Sequence, residues 1–188
     1  MKNYQLLILL VTHYPLLITH NSSFAMNLLI AFLKNISLVV FAAVWLILNV
    51  SYPSEVSLNY PYDFISKDWV LFAALGFVGI FNLMMIFFLK MLQNIPIQRL
   101  QIPQADFWKE NELSREEFYN VLKAWFYTFM VAVNLYVSFI LYKIWDINVM
   151  IQDSVDMLAY WILGLVIVLI WVVYIAFRFR IRKYSIWD

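Results

Sequence analysis

The chain of 188 residues is 64% hydrophobic and 13% charged, with a mean hydropathy of +0.77 and a formal net charge of +1. Soluble domains of this size are about half apolar and about a quarter charged, so the chain departs from them in the direction a bilayer demands. So small a net charge offers no field for nucleic acid, and the absence of cysteine excludes disulfides, thiol catalysis and thiolate metal sites.

Residues 1–25 form an N-terminal segment of doubtful status. Their apolar run is short and is interrupted by His13 and Pro15, whereas a spanning helix needs about 20 mostly apolar residues. An interfacial helix, a weak signal with Ser23 and Ala25 before a cut, and a start extended upstream of Met26 are the three readings. Cleavage after Ala25 conflicts with the orientation derived below. Residues 26–188 are expected to form one four-span membrane domain.

The first span is predicted over residues 28–51, since positions 35–54 carry no charge and Tyr52-Pro53 closes the run. Residues 55–68 read as a short polar loop whose Tyr60, Tyr62 and Trp69 suit a headgroup layer. The second span is predicted over 69–89. Gly76 and Gly79 make a small surface for a neighbouring helix there, though not at GxxxG spacing.

Positions 98–125 then hold five of the twelve carboxylates and four of the thirteen basic residues. Pro96 and Pro103 are expected to keep residues 93–107 out of helix. Ser114 to Glu117 reads as a capping box that starts a helix running unbroken into the third span. Phe118, Val121, Leu122 and Trp125 put an apolar stripe on its first part. The third span is predicted over 124–142, followed by an acidic loop with Asp146, Asp153 and Asp156. The fourth is predicted over 157–177. The cluster Arg178, Arg180, Arg182 and Lys183 follows it, suited to stopping transfer and pairing with anionic lipid.

With the amino side of span one in the cytoplasm, ten basic residues face inward and two, Lys67 and Lys143, face outward. The positive-inside rule therefore predicts both termini in the cytoplasm of a cell (inner) membrane.

The fold class expected is all-α, an integral membrane four-helix bundle with a cytoplasmic loop extending helix 3. Asn82 and Asn134 lie inside spans two and three and Asn49 near the outer end of span one. Amides in hydrocarbon need partners, and an Asn82–Asn134 contact satisfies both. Beyond residues 1–25, the predicted membrane interior holds no Asp, Glu, Lys, Arg or His, which counts against a coupled transporter or an intramembrane hydrolase. His13 and His20 are seven apart, but Pro15 lies between them and no acid is near, so a metal or haem is not expected there. The carboxylates of positions 98–125 are interleaved with Lys109 and Arg115 and read as a solvated face.

Two stretches carry a resemblance. Residues 52–69 resemble the outer loop of a bacterial multi-pass membrane domain of unknown function, with Pro53, Asn59, Ser66 and Lys67 at matching places. Residues 102–118 resemble that family's cytoplasmic element, with Ile102, Pro103, Phe107, Trp108, Arg115 and Glu116 matching. Asn59 stands where the family has histidine, Gln104 where it has asparagine, and the usual glycine is missing. The family is distantly similar to SdpI-like immunity and signalling proteins. The resemblance therefore implies a small non-catalytic binding, immunity or signalling component without a cofactor. Ile102, Pro103, Phe107, Trp108, Arg115 and Glu116 would form its inner-face element, docked on the bundle or on a protein partner. A transport or channel component, with a path past Asn82 and Asn134, is the contrasting expectation. A lipid-modifying membrane enzyme is the third.

Overall fold

The structure, a computed structural model, describes residues 2–59, 62–149 and 157–180, with side chains over 26–57, 64–149 and 158–177 and at Phe179. Five α-helices and one hairpin make it up: α1 (Lys2–Ser51), β1 (Glu55–Asn59), β2 (Tyr62–Ser66), α2 (Lys67–Asn94), α3 (Ala105–Glu110), α4 (Glu112–Val149) and α5 (Met157–Arg180). The chain is an all-α four-helix bundle. Four segments are long and apolar enough to cross a membrane: Met26–Ser51 of α1, α2, α4, and Leu158–Phe177 of α5. His13 and His20 lie outside the described side chains. Asp153 and Asp156 lie outside the described residues.

α4 is the hub. It packs most extensively on α1, then on α2, and also meets α3, β1 and α5. Two core clusters divide its length. Toward the hairpin, Phe41, Leu48, Val56, Leu71 and Leu141 close together with Ile144. Toward α3, Leu89, Ile97, Trp108, Phe118, Phe126 and Phe179 do the same. No residue in the apolar stretch of α5 is buried.

The polar loop expected over 55–68 is instead an antiparallel hairpin, with Glu55 opposite Ser66, Val56 opposite Ile65 and Ser57 opposite Phe64. Valine, isoleucine and aromatic residues favour a pleated strand. The hairpin is fastened at several points. Asn148 Oδ1 accepts from Ser57 N at 2.7 Å, and Asn148 Nδ2 donates to Ser57 O at 3.0 Å. Ser66 caps α2 by accepting from Asp68 N, and Lys67 Nζ donates to Asn49 O at 2.9 Å, at the end of α1.

Three further expectations are corrected. The Ser114 capping box is replaced by Asn111, whose Oδ1 accepts from Ser114 N at 2.8 Å. Asparagine is as good a cap as serine; starting at Glu112 keeps an acid in the first turn and leaves Ser114 buried. The stretch 93–107 is not wholly irregular. α2 runs to Asn94, Pro96 starts a short 3-10 turn over Ile97–Arg99, and α3 opens at Ala105. A proline at a helix start forfeits no hydrogen bond, because that N–H has no partner in any case. Finally, α4 continues to Val149, so Asp146 sits on the helix rather than in a loop and pairs with Lys143 at 3.0 Å.

Among the described residues no helix packs closely on Gly76 or Gly79: a methyl at either would meet nothing within 4 Å. The close approach lies at Gly164 of α5, where a Cβ would stand 2.7 Å from Tyr136 Cζ.

Candidate functional site

The helices bring Asn82 and Asn134 together. Asn82 Nδ2 donates to Asn134 Oδ1 at 2.7 Å and to Val78 O at 2.8 Å. Asn134 Nδ2 donates to Ser37 Oγ at 3.0 Å and approaches Asn82 Oδ1 at 3.4 Å. Ser37 passes its own hydroxyl proton to Lys34 O at 2.7 Å, and Ser138 Oγ donates to Asn134 O at 2.8 Å. All four side chains are buried. α1, α2 and α4 are thus stitched by a closed chain of donors and acceptors, and a buried polar group costs little once partnered. Ser37 was missed in the sequence because a lone serine in an apolar run gives no signal of its own.

The six residues of the expected inner-face element separate into two groups. Trp108 is 2% exposed. It meets Phe107 edge-on at 4.9 Å and Phe179 edge-on at 6.0 Å, with Phe118 at 5.8 Å. Ile102 and Phe107 pack against the same cluster. Pro103 and Glu116 are exposed, and Arg115 is half-buried. The element is docked on the bundle: Tyr119 OH donates to Ile95 O at 3.1 Å, and Lys109 Nζ donates to Gln98 O at 3.2 Å. The indole N–H of Trp108 and Nε of Arg115 are buried without a hydrogen-bond partner. Gln104, just before α3, is the one described non-glycine residue with positive φ, at 55°. Asparagine takes that conformation more readily.

A cavity of about 790 Å³ lies between α2, α4 and α5. Trp69, Ala74 and Phe77 form one wall, Tyr136 and Ile140 the floor, and Trp161, Gly164 and Val168 the other wall. The Tyr136 hydroxyl in its lining donates to Tyr160 O at 2.7 Å. The cavity exists because aromatic rings hold α5 off α4. Phe129 stacks on Trp171 at 5.1 Å, Trp125 lies 5.8 Å from the same ring, and Phe139 meets Tyr160 at 5.8 Å. A second cavity, about 320 Å³, lies where α1, α4 and α5 meet, beside Asn27, Asn120 and Tyr174. Neither cavity is lined by Asn82 or Asn134.

Lys34 lies within the apolar stretch Met26–Ser51, as it does in the predicted span 28–51. Its ammonium sits 4.8 Å from the centre of the Tyr127 ring, and Lys123 Nζ lies 5.7 Å from the same centre. At the other end of the bundle, Tyr52 donates its hydroxyl to Leu141 O. Burial pushes that phenol up from its ordinary range, so it stays protonated as a donor. Among the described residues no three His, Asp or Glu side chains converge as metal ligands do.

Comparison with protein-family models, curated proteins and solved structures finds no match to this chain.

Proposed function

We propose that the chain is a non-catalytic binding protein of the cell's inner membrane, with both termini in the cytoplasm, that takes an apolar, membrane-borne ligand sideways into the α2–α4–α5 cavity. The observation that carries this reading is the cavity itself. Its volume falls in the range of about 300–1,000 Å³ typical of small-molecule sites, and its lining is apolar but for the Tyr136 hydroxyl, already in use, and the indoles of Trp69 and Trp161. A pocket so lined selects by shape and apolarity, which fits an acyl chain. Orientation rests on the positive-inside rule, under which α3 lies inside and the hairpin outside.

Purified full-length protein in nanodiscs, irradiated with a phospholipid carrying a diazirine in its acyl tail, tests the reading. Adducts concentrated on Val133, Ile140 and Leu165, and reduced by Ala74→Phe, are expected. Even labelling of every lipid-facing helix, unchanged in that variant, would contradict it.

A cytoplasmic protein partner is a second reading, with a smaller footprint than the whole inner-face element. Trp108 is closed to it. Leu113, 57% exposed in the first turn of α4, is accessible to it, as are Pro103 before α3 and Glu116 one turn further along α4.

A further inference from the structure

We infer that Lys34 of α1 and Lys123 of α4 form a binding site for a phosphate group at the Tyr127 ring, filled first by the headgroup of an anionic phospholipid. Three observations converge on it. Lys34 stands in an otherwise apolar span, and an ionisable side chain there marks a functional site unless a partner accounts for it. Counted from Ser51 it lies roughly 25 Å along the helix axis, near the far edge of a ~30 Å hydrocarbon core. Its four-carbon stem carries the ammonium out to the headgroup boundary.

Next, a second ammonium comes near the same ring from a different helix: Lys34 Nζ lies 4.8 Å and Lys123 Nζ 5.7 Å from its centre. Two like charges drawn to one ring repel each other unless an anion joins them. The Tyr127 face attracts each cation but neutralises neither. Finally, no ion pair joins either lysine to a carboxylate among the described residues. The nearest acids in the sequence of α4, Glu116 and Glu117, precede Lys123 by roughly 10 Å of helix. Two half-buried lysines beside one aromatic ring, neither ion-paired with an acid, present the chemistry a phosphate completes.

This site is independent of the apolar cavity. It requires that α1 and α4 cross lipid, and it stands whether or not an acyl chain enters between α2 and α5.

The test uses the purified full-length chain in a neutral detergent. Phosphatidylglycerol, phosphatidylcholine and inorganic phosphate are titrated separately, and native mass spectrometry reads what is retained. Wild type is expected to retain one phosphatidylglycerol with roughly thirtyfold preference over phosphatidylcholine, the value two near-surface lysines imply. The double variant Lys34→Gln/Lys123→Gln is expected to lose that preference while keeping its helix content by circular dichroism. Lys34→Arg/Lys123→Arg is expected to keep it, and so is Lys90→Gln, which removes an exposed lysine elsewhere. Displacement of the lipid by inorganic phosphate would support the site with a soluble phosphate as its second source; lack of displacement would support it as a lipid-headgroup site. Equal retention of both lipids by wild type, or an unchanged preference in the double glutamine variant, would overturn the inference. Should the double variant fail to fold, each single variant carries the same test at roughly a fivefold loss.

Discussion

The two faces of α4 differ in kind. Toward α1 and α2 it is sealed by side-chain hydrogen bonds: Ser37, Asn82 and Asn134 close a chain across three helices, and α1 is tied to α2 in turn by Trp45 Nε1, which donates to Leu71 O at 2.9 Å. Toward α5 it offers aromatic rings that reach backbone carbonyls, Tyr136 OH to Tyr160 O at 2.7 Å and Trp125 Nε1 to Trp171 O at 3.2 Å, and the apolar stretch of α5 has no buried residue. In lipid, association between helices draws on packing and polar contacts rather than on exclusion from water. The first face therefore makes a trunk of α1, α2 and α4. The second makes an arm, fixed at intervals and leaving a cavity between the fixings.

The largest expected effect comes where trunk and arm share a cluster. Trp108 touches Phe118 of α4 and Phe179 of α5. Trp108→Ala is expected to lower stability by about 3–5 kcal/mol, read by thermal unfolding of the purified chain in detergent. A variant that unfolds like wild type would remove Trp108 from the core and return it to the surface as a partner contact.

Asn134→Leu breaks the trunk alone. It leaves Asn82 and Ser37 each short of a buried partner, a loss of about 1–3 kcal/mol. Asn82→Leu/Asn134→Leu together is expected to recover part of it, since the amide of Asn82 left unpaired by the single change is then gone. If the double variant is as damaged as the two single losses combined, the two side chains act separately and the closed chain of bonds is wrong.

Gly164→Leu acts on the arm alone. The new side chain collides with the Tyr136 ring, and overpacking of this sort costs about 1–3 kcal/mol. Spin labels placed through cysteine at Leu135 and Leu163, both exposed, are expected to move apart by roughly 2 Å, a fifth of a normal interaxial distance. Trunk stability should change little. Unchanged label distances would show that α5 does not rest on Tyr136.

The smallest effect is expected at the hairpin. Asn148→Ala removes both side-chain bonds to Ser57, worth about 1 kcal/mol apiece. Faster amide exchange confined to the backbone of β1 and β2 is the expected readout, with the trunk unaltered.

These contrasts explain what was legible beforehand. The four apolar stretches follow from runs of uncharged residues, because hydrocarbon tolerates little else. The Asn82–Asn134 pairing followed from two amides in adjacent antiparallel spans. Ser37 did not, since its relevance depends on the rotation of α1, which a uniformly apolar helix does not encode. The hairpin was hidden because Val56, Phe64 and Ile65 lie among polar neighbours, where alternation over five residues is easily taken for loop. Gly164 looked like any glycine in a span until Tyr136 was found against it.

All of these readings require that the α3 end and the hairpin end of the bundle lie on opposite sides of a bilayer. The natural chain has no cysteine, so single reporters at Glu112 and Glu55, both exposed, give unambiguous labelling with a membrane-impermeant maleimide on intact cells. The account predicts that Glu55→Cys is labelled at once and Glu112→Cys only after permeabilisation. Labelling of both from outside, or of Glu112→Cys alone, would contradict it.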